Sequence, residues 1–358
     1  MNNQLKKSMA IGLVALSVWN CKTSDPEPTP FGDGVYVINQ GAFLKNNGSL
    51  SYISRTGSTV ATNIFVQANP TLAVSGGSGQ GGNVQDYTEV NGKGLILVDN
   101  GTVGQDKVEV VEAGTFMSRA TLKAPDIENP RLVIQAGPNK AYVSCWDVSG
   151  DYSAGTFYKD PGYIAVVDLN TGTVSKKIPA VKGVERMVLV GSEVFVGSNA
   201  YSGDKTLLVI DANTDTMKEK INFGATPEPI ALDANGKLWI RAGKDMVRIN
   251  PQSRLVEQRL TFASSLGTIA IGADKRAFYY TLGGRTSQFS IEATTATGTQ
   301  VLNRSFSGAL GIDPKTKQLY GSVIPTYDQA GYVIRYQPDG SLIDSVKVEI
   351  APSGFFFR

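Results

Sequence analysis

The sequence predicts an all-β protein, a seven-bladed β-propeller of four-stranded antiparallel blades. Three observations lead there. Beyond residue 30 the chain is filled with short alternating runs, punctuated by Gly, Asn-Gly, Asp-Gly and Asn-Pro, and no window carries a helical period. Its 39 glycines and only 18% charged residues suit a turn-rich globule, not a coiled coil or a disordered chain. And a unit recurs: Tyr163–Val174, Leu207–Met217 and Met246–Val256 each read as a strand, an Asp or Asn turn and the start of a second strand. Those second strands continue through Lys176–Val181, Lys218–Phe223 and Glu257–Phe262, and fresh hairpins such as Pro229–Ile240 follow. Four strands per period, A to D, make one propeller blade.

The first thirty residues lie outside that repeat. Lys6 and Lys7 precede an apolar run, Ser8–Trp19, too short for the ~20 residues of a membrane span but suited to a secretory signal. Cys21 at its end resembles a lipobox cysteine, so residues 1–20 are expected to be a lipoprotein signal peptide and Cys21 the lipidated N-terminus. The polar, proline-rich stretch up to Pro30 is expected to be a flexible tether, and residues 31–358 the propeller. With Cys21 acylated, Cys145 has no partner for a disulfide and reads as a buried, inert thiol.

Seven periods follow, over residues 31–65, 78–125, 127–181, 183–224, 226–264, 266–306 and 307–358. Blade one begins directly with a B-type strand, Gly34–Asn39, followed by C (Gly48–Ile53) and D (Val60–Val66), and lacks an A strand. Ala351–Arg358 parallels the A-strand start Thr226–Leu232, so Gly354–Arg358 is expected to supply that strand and close the ring. Closure hides the edges and half-cores that a single blade exposes.

Composition also excludes chemistry. The chain has no histidine, which removes Ser-His-Asp and Cys-His catalysis and His-ligated zinc. The formal charge is +2, and without the leader 32 bases face 32 acids, so no basic stripe is available for nucleic acid. Gly77-x-Gly79-x-x-Gly82 matches a dinucleotide fingerprint by letter but precedes another strand, not a helix, and reads as an interblade loop. Asp211-x-Asn213-x-Asp215 has calcium-loop spacing, yet Thr216 stands where glycine is required and the segment falls on the repeat's C–D turn. No metal or cofactor is expected.

Several segments resemble a known family. The Val209-Ile-Asp-x-x-Thr214 turn, the Asp233-x-x-Gly-Lys-Leu-Trp-Ile240 hairpin and the first blade's Asn39-Gln-Gly and Asn47-Gly-Ser-Leu-Ser-Tyr52 are similar to YVTN/YncE-type propellers. Gln85-Asp-Tyr-Thr88, Val108–Glu112, Asn129-Pro-Arg131 and the terminal Pro352-x-Gly-Phe-x-Phe357 resemble the surface lipoprotein branch of the Bacteroidetes, which includes BtuG-type proteins. The resemblance implies the seven-bladed fold, a lipid anchor in the outer membrane facing the cell surface, capture of cobalamin or another corrinoid, and a TonB-dependent receptor as partner. The acidic residues after Cys21 resemble the surface-export signal of that group.

Function has to be read from a site, because propellers host enzymes, scaffolds and binders alike. In a propeller the B–C and D–A loops gather on one face. They present Asn39, Gln40, Asp86, Tyr87, Arg131, Trp146, Tyr152, Tyr158, Arg186, Asn199, Tyr201, Arg241, Tyr280 and Tyr327, the expected ligand-binding residues. Phe43, Asn100 and Phe157 stand among them. Aromatics, amides and arginine give large contact area and directional hydrogen bonds at low entropic cost. A planar, amide-bearing ligand such as a corrinoid suits this set, and so does a stacked glycan. The expectation is a non-enzymatic surface binding protein for a small ligand, with no cofactor. A protein-protein or cell-envelope scaffold is the alternative, and a quinoprotein- or lactonase-like enzyme a third reading.

Overall fold

The computed structural model describes residues 30–56, 59–72, 81–148, 150 and 154–358; Cys21, the leader, the tether, Gly77, Gly79 and Tyr152 lie outside them. Alternation of apolar and polar residues is satisfied by seven separate four-stranded antiparallel sheets. Blade one contains β1 (Gly34–Asn39), β2 (Ser49–Ser54) and β3 (Val60–Ala61). Blade two is β4 (Asn83–Val90), β5 (Lys93–Asp99), β6 (Lys107–Glu112) and β7 (Ser118–Lys123). Blade three is β8 (Pro130–Gly137), β9 (Lys140–Cys145), β10 (Tyr163–Asp168) and β11 (Thr173–Pro179). Blade four is β12 (Val184–Val190), β13 (Glu193–Ser198), β14 (Thr206–Asp211) and β15 (Thr216–Asn222). Blade five is β16 (Pro227–Leu232), β17 (Leu238–Ala242), β18 (Asp245–Ile249) and β19 (Val256–Thr261). Blade six is β20 (Ile269–Ile271), β21 (Ala277–Leu282), β22 (Arg285–Ser290) and β23 (Thr299–Leu302). Blade seven is β24 (Leu310–Ile312), β25 (Leu319–Val323), β26 (Ala330–Tyr336) and β27 (Leu342–Ile350).

The last strand, β28 (Pro352–Phe357), leaves blade seven and pairs antiparallel with β1, Tyr36 opposite Phe356 and Val37 opposite Phe355. It is the innermost strand of blade one, so the ring is closed by the chain's end, starting two residues earlier than expected. Each neighbouring pair of blades shares a hydrophobic cluster. At the seam, Phe355 and Phe357 join Val35, Val37 and Tyr320 between blades seven and one, while Phe356 packs with Tyr36, Tyr87 and Phe116 between blades one and two.

The repeated turn has a physical explanation. In Asp168–Gly172, Asp211–Asp215 and Asn250–Arg254 the first side chain accepts a backbone N–H two residues on, at 2.8, 2.8 and 3.0 Å. The fifth residue, Gly172, Asp215 or Arg254, takes a positive φ. Asp and Asn favour such side-chain-to-backbone turns. The Asp215 carboxylate also binds Lys140 Nζ at 2.7 Å and the Tyr142 hydroxyl, which ties blade four to blade three.

One strand is shorter than expected. The D strand of blade one, expected over Val60–Val66, ends at Ala61, and Ile64–Ala68 forms a single helix, α1. Asn63 in the left-handed region (φ 50°) breaks the strand, and the helix buries the adjacent Ile64 and Phe65 together. A strand would have pointed them to opposite faces. Asn69 caps the end by donating from Nδ2 to the carbonyls of Phe65 and Phe116 at 2.9 and 2.7 Å. Among the described residues no helix is long and apolar enough to cross a membrane.

Candidate functional site

The connections between second and third strands are longest in blades one to four, and there they enclose a pocket of about 310 Å³. It collects Gln40, Phe43 and Leu44 from blade one, and Asn83, Gln85, Asp99, Asn100 and Gly101 from blade two. Blade three adds Arg131, Trp146, Phe157 and Tyr158, and blade four Tyr201.

Its core is a stack. Trp146 leaves β9 with its backbone N–H bonded to the Asn129 carbonyl at 3.0 Å. The Arg131 guanidinium carbon lies 3.8 Å from the Trp146 ring centroid, and Tyr158 meets the same ring edge-on at 4.8 Å and 82°. Cation–π and edge-to-face packing of this kind fixes the indole plane. The Tyr158 hydroxyl donates to Asn199 Oδ1, which also caps the 3-10 turn Ala200–Ser202 by accepting the N–H groups of Tyr201 and Ser202 at 3.1 Å. Asn199 therefore supports the wall from behind. Among the described residues, two buried donors, Trp146 Nε1–H and Arg131 Nε–H, have no acceptor. Leaving a buried donor unpaired costs about 1–3 kcal/mol.

The polar wall is an amide–carboxyl chain. Gln40 donates to Gln85 at 3.2 Å, Gln85 donates to Asp99 at 3.4 Å, and Arg131 reaches the same Asp99 oxygen at 3.3 Å. Burial pushes the Asp99 carboxyl up, against the opposing pull of Arg131. Its neighbour Asp106 is pushed up to about 7, chiefly by burial, while accepting the N–H groups of Asn100 and Asn129 at 2.7 and 2.9 Å. Around the mouth, Phe43 and Tyr201 are 63% and 87% exposed, an apolar rim above a polar wall.

Of the residues expected at a site, Gln40, Arg131, Trp146, Tyr158 and Tyr201 line this pocket and Asn199 braces it. Asp86 and Arg186 line instead the central channel, a space of about 430 Å³ bounded by the innermost strands. Arg241 stands in a recess beside Arg186. Tyr327 is exposed on the blade-seven loop and does not line the pocket.

Three placements correct the expectation. Tyr87, 2% exposed, lies in the blade one–two core, because it follows Asp86 on β4 and successive side chains take opposite faces. Tyr280 is 4% exposed between Phe262 and Phe289 in the blade five–six core. Asn39 is fully buried within blade one, where Nδ2 donates to Ser51 Oγ at 2.9 Å. Leu44, Asn83, Gln85, Asp99 and Gly101 line the pocket without having been anticipated. A register shift between Val84 and Asp86 resets the alternation of β4 at Gln85, which sits on both the pocket and the channel. A break in alternation, polar residues at 85 and 86 together, is its only trace in the sequence.

Solved structures share this architecture. A quinoprotein alcohol dehydrogenase-like protein of Bacteroides thetaiotaomicron is 14% identical, with a TM-score of 0.66 over 91% of this chain and 78% of that one. The extracellular domain of a putative one-component system from the same organism is 12% identical, with a TM-score of 0.59 over 89% of this chain and 45% of that one. At such identities the likeness is one of fold. No curated protein matches the sequence. Residues 33–357 match a domain of unknown function, DUF5074, and the chain belongs to that family.

Proposed function

We propose that the protein is a non-enzymatic binding protein that captures a small ligand in the loop pocket of blades one to four. The observation that carries the reading is the Arg131–Trp146–Tyr158 stack, a fixed aromatic surface beside two buried N–H donors that have no acceptor among the described residues. A pocket of about 310 Å³ with apolar walls and a few convergent polar groups lies at the lower end of the range for small-ligand sites. The preferred ligand carries a flat face for stacking and a carbonyl or similar acceptor for the donors.

Within that class we propose a corrinoid, cobalamin first, held at the cell surface by lipidated Cys21 for delivery to a TonB-dependent receptor. Its peripheral amides supply acceptors, and a pocket of this size takes one edge of so large a molecule, not the whole. The exposed Phe43, Leu44 and Tyr201 around the mouth suit contact with the remainder or with the receptor.

The test is calorimetric titration of the full chain with cyanocobalamin, beside the Trp146→Phe variant. Saturable binding that weakens about tenfold in the variant, the loss of about 1.4 kcal/mol of stacking and hydrogen bonding, supports the reading. Absence of heat at micromolar protein removes the corrinoid. Binding unaffected by Trp146→Phe removes the pocket.

A further inference from the structure

A second polar cluster lies away from the loop pocket. Glu228 on β16 is shared by two arginines: Arg186 Nε reaches its Oε1 at 2.6 Å, and Arg241 Nε donates to its Oε2 at 2.7 Å. Arg241 is further held by the carbonyls of Leu266 and Gly267, at 3.1 and 2.9 Å. Arg186 differs. Its side chain is 47% exposed, and among the described residues its two terminal nitrogens have no hydrogen-bond acceptor. These groups, with Thr268, Ile230 and Ile269, line a recess of about 170 Å³. Arg186, Thr268 and Ile269 line the central channel as well, so the recess opens onto it.

Charge decides what such a recess takes. Two guanidinium groups against one carboxylate leave a net positive charge, and only one of the two arginines has its donors consumed. Planar guanidinium donors match the oxygens of carboxylates and phosphates, and such charge-assisted bonds are stronger than neutral ones. Across the channel, Asp86 supplies the one carboxylate facing Arg186 among the channel-lining residues, and its oxygen is already bonded to the Val133 N–H at 2.9 Å. We propose that Arg186, backed by the Glu228–Arg241 pair, forms a binding site for a small oxyanion, a carboxylate or a phosphate, at the rim of the central channel. Arg241 is a positioning residue, which fixes Glu228 so that Arg186 is held across the recess. Thr268 offers a hydroxyl to the same ion.

The experiment is calorimetric titration of the full chain, in separate arms, with inorganic phosphate and with succinate, repeated on Arg186→Gln, Glu228→Gln and Trp146→Phe. Saturable binding in either arm is expected, and the stronger arm identifies the anion. Arg186→Gln should weaken it about tenfold, the usual worth of one charge-assisted bond. Glu228→Gln should tighten it, because it removes the competing carboxylate while leaving an amide oxygen for the arginines. Trp146→Phe should leave it unaltered, which separates this site from the loop pocket. Absence of saturation in both arms, equal affinity of wild type and Arg186→Gln, or weaker binding by Glu228→Gln would each overturn the assignment. Arg186 is half-exposed, so its substitution leaves the fold intact and a loss can be read as loss of binding.

Discussion

Ring closure by β28 predicts the effect of two substitutions on opposite faces of one strand. Phe356 stacks on Tyr36 at 5.9 Å and 9° and meets Tyr87 edge-on at 5.1 Å, sealing blade one to blade two. Phe357 meets Tyr320 edge-on at 5.3 Å, sealing blade one to blade seven. A fully buried Phe→Ala costs ~3–5 kcal/mol; for these partly buried rings we take about 2 kcal/mol each. The rings face different clusters, so the losses should add, to about 4 kcal/mol. Against a total stability of ~5–15 kcal/mol this is a large fraction. In a chain of this size each kcal/mol moves the melting temperature by roughly 2 °C, so the double variant Phe356→Ala/Phe357→Ala should melt about 8 °C lower. Differential scanning calorimetry with the two single variants checks both the size and the additivity. Truncation before Pro352 goes further, because it bares the edge of β1 along the channel, and size-exclusion chromatography should then show aggregates. A truncated monomer, or a double variant melting within 2 °C of wild type, refutes closure by this strand.

Three other outcomes follow from the electrostatics. Arg254 and Lys218 flank Glu193 and hold its carboxyl down at about 2, Arg254 the more strongly. Its contribution is therefore fully present above pH 4.5 and lost as pH falls through 2, so Glu193→Gln should cost about 1 kcal/mol in urea melts at pH 7 and much less at pH 2. Asp86 has the opposite sign: burial raises its carboxyl to about 7, so the native state holds a proton that the unfolded chain has released, and stability declines as pH rises from 4 to 7. Asp86→Asn should gain about 2 kcal/mol over wild type at pH 8 and none at pH 4; a gain independent of pH would be incompatible with that titration. Burial pushes the Cys145 thiol up to about 12, so a thiol reagent at pH 8 should label it only after unfolding.

The ring was legible because propeller sequence is local. Each blade repeats its turn chemistry, and Asp168, Asp211 and Asn250 carry it visibly. The closing strand was legible from one missing A strand and one spare segment. The candidate pocket was legible where aromatic residues fell in an irregular loop, as Trp146 and Tyr158 do, since no strand alternation claims them for a core. Within strands the same logic failed by one residue. Asp86 faces the channel and Tyr87 the core, and only the bulge at Gln85 decides which is which. Helix α1 was hidden for a similar reason: a left-handed Asn63 and a docking surface on blade two outweigh the strand propensity of Ile64-Phe-Val66.

A loop pocket drawn from four consecutive blades would give any occupant a mechanical role. A ligand seated there would touch groups as far apart in sequence as Gln40 and Tyr201 and act as a clasp across three interblade seams. Since the pocket exists only in the folded chain, occupancy at a hundred times the dissociation constant would add about 2.7 kcal/mol to its stability. The right ligand should therefore restore much of what Phe356→Ala removes, and the weakened ring becomes the more sensitive instrument for finding it.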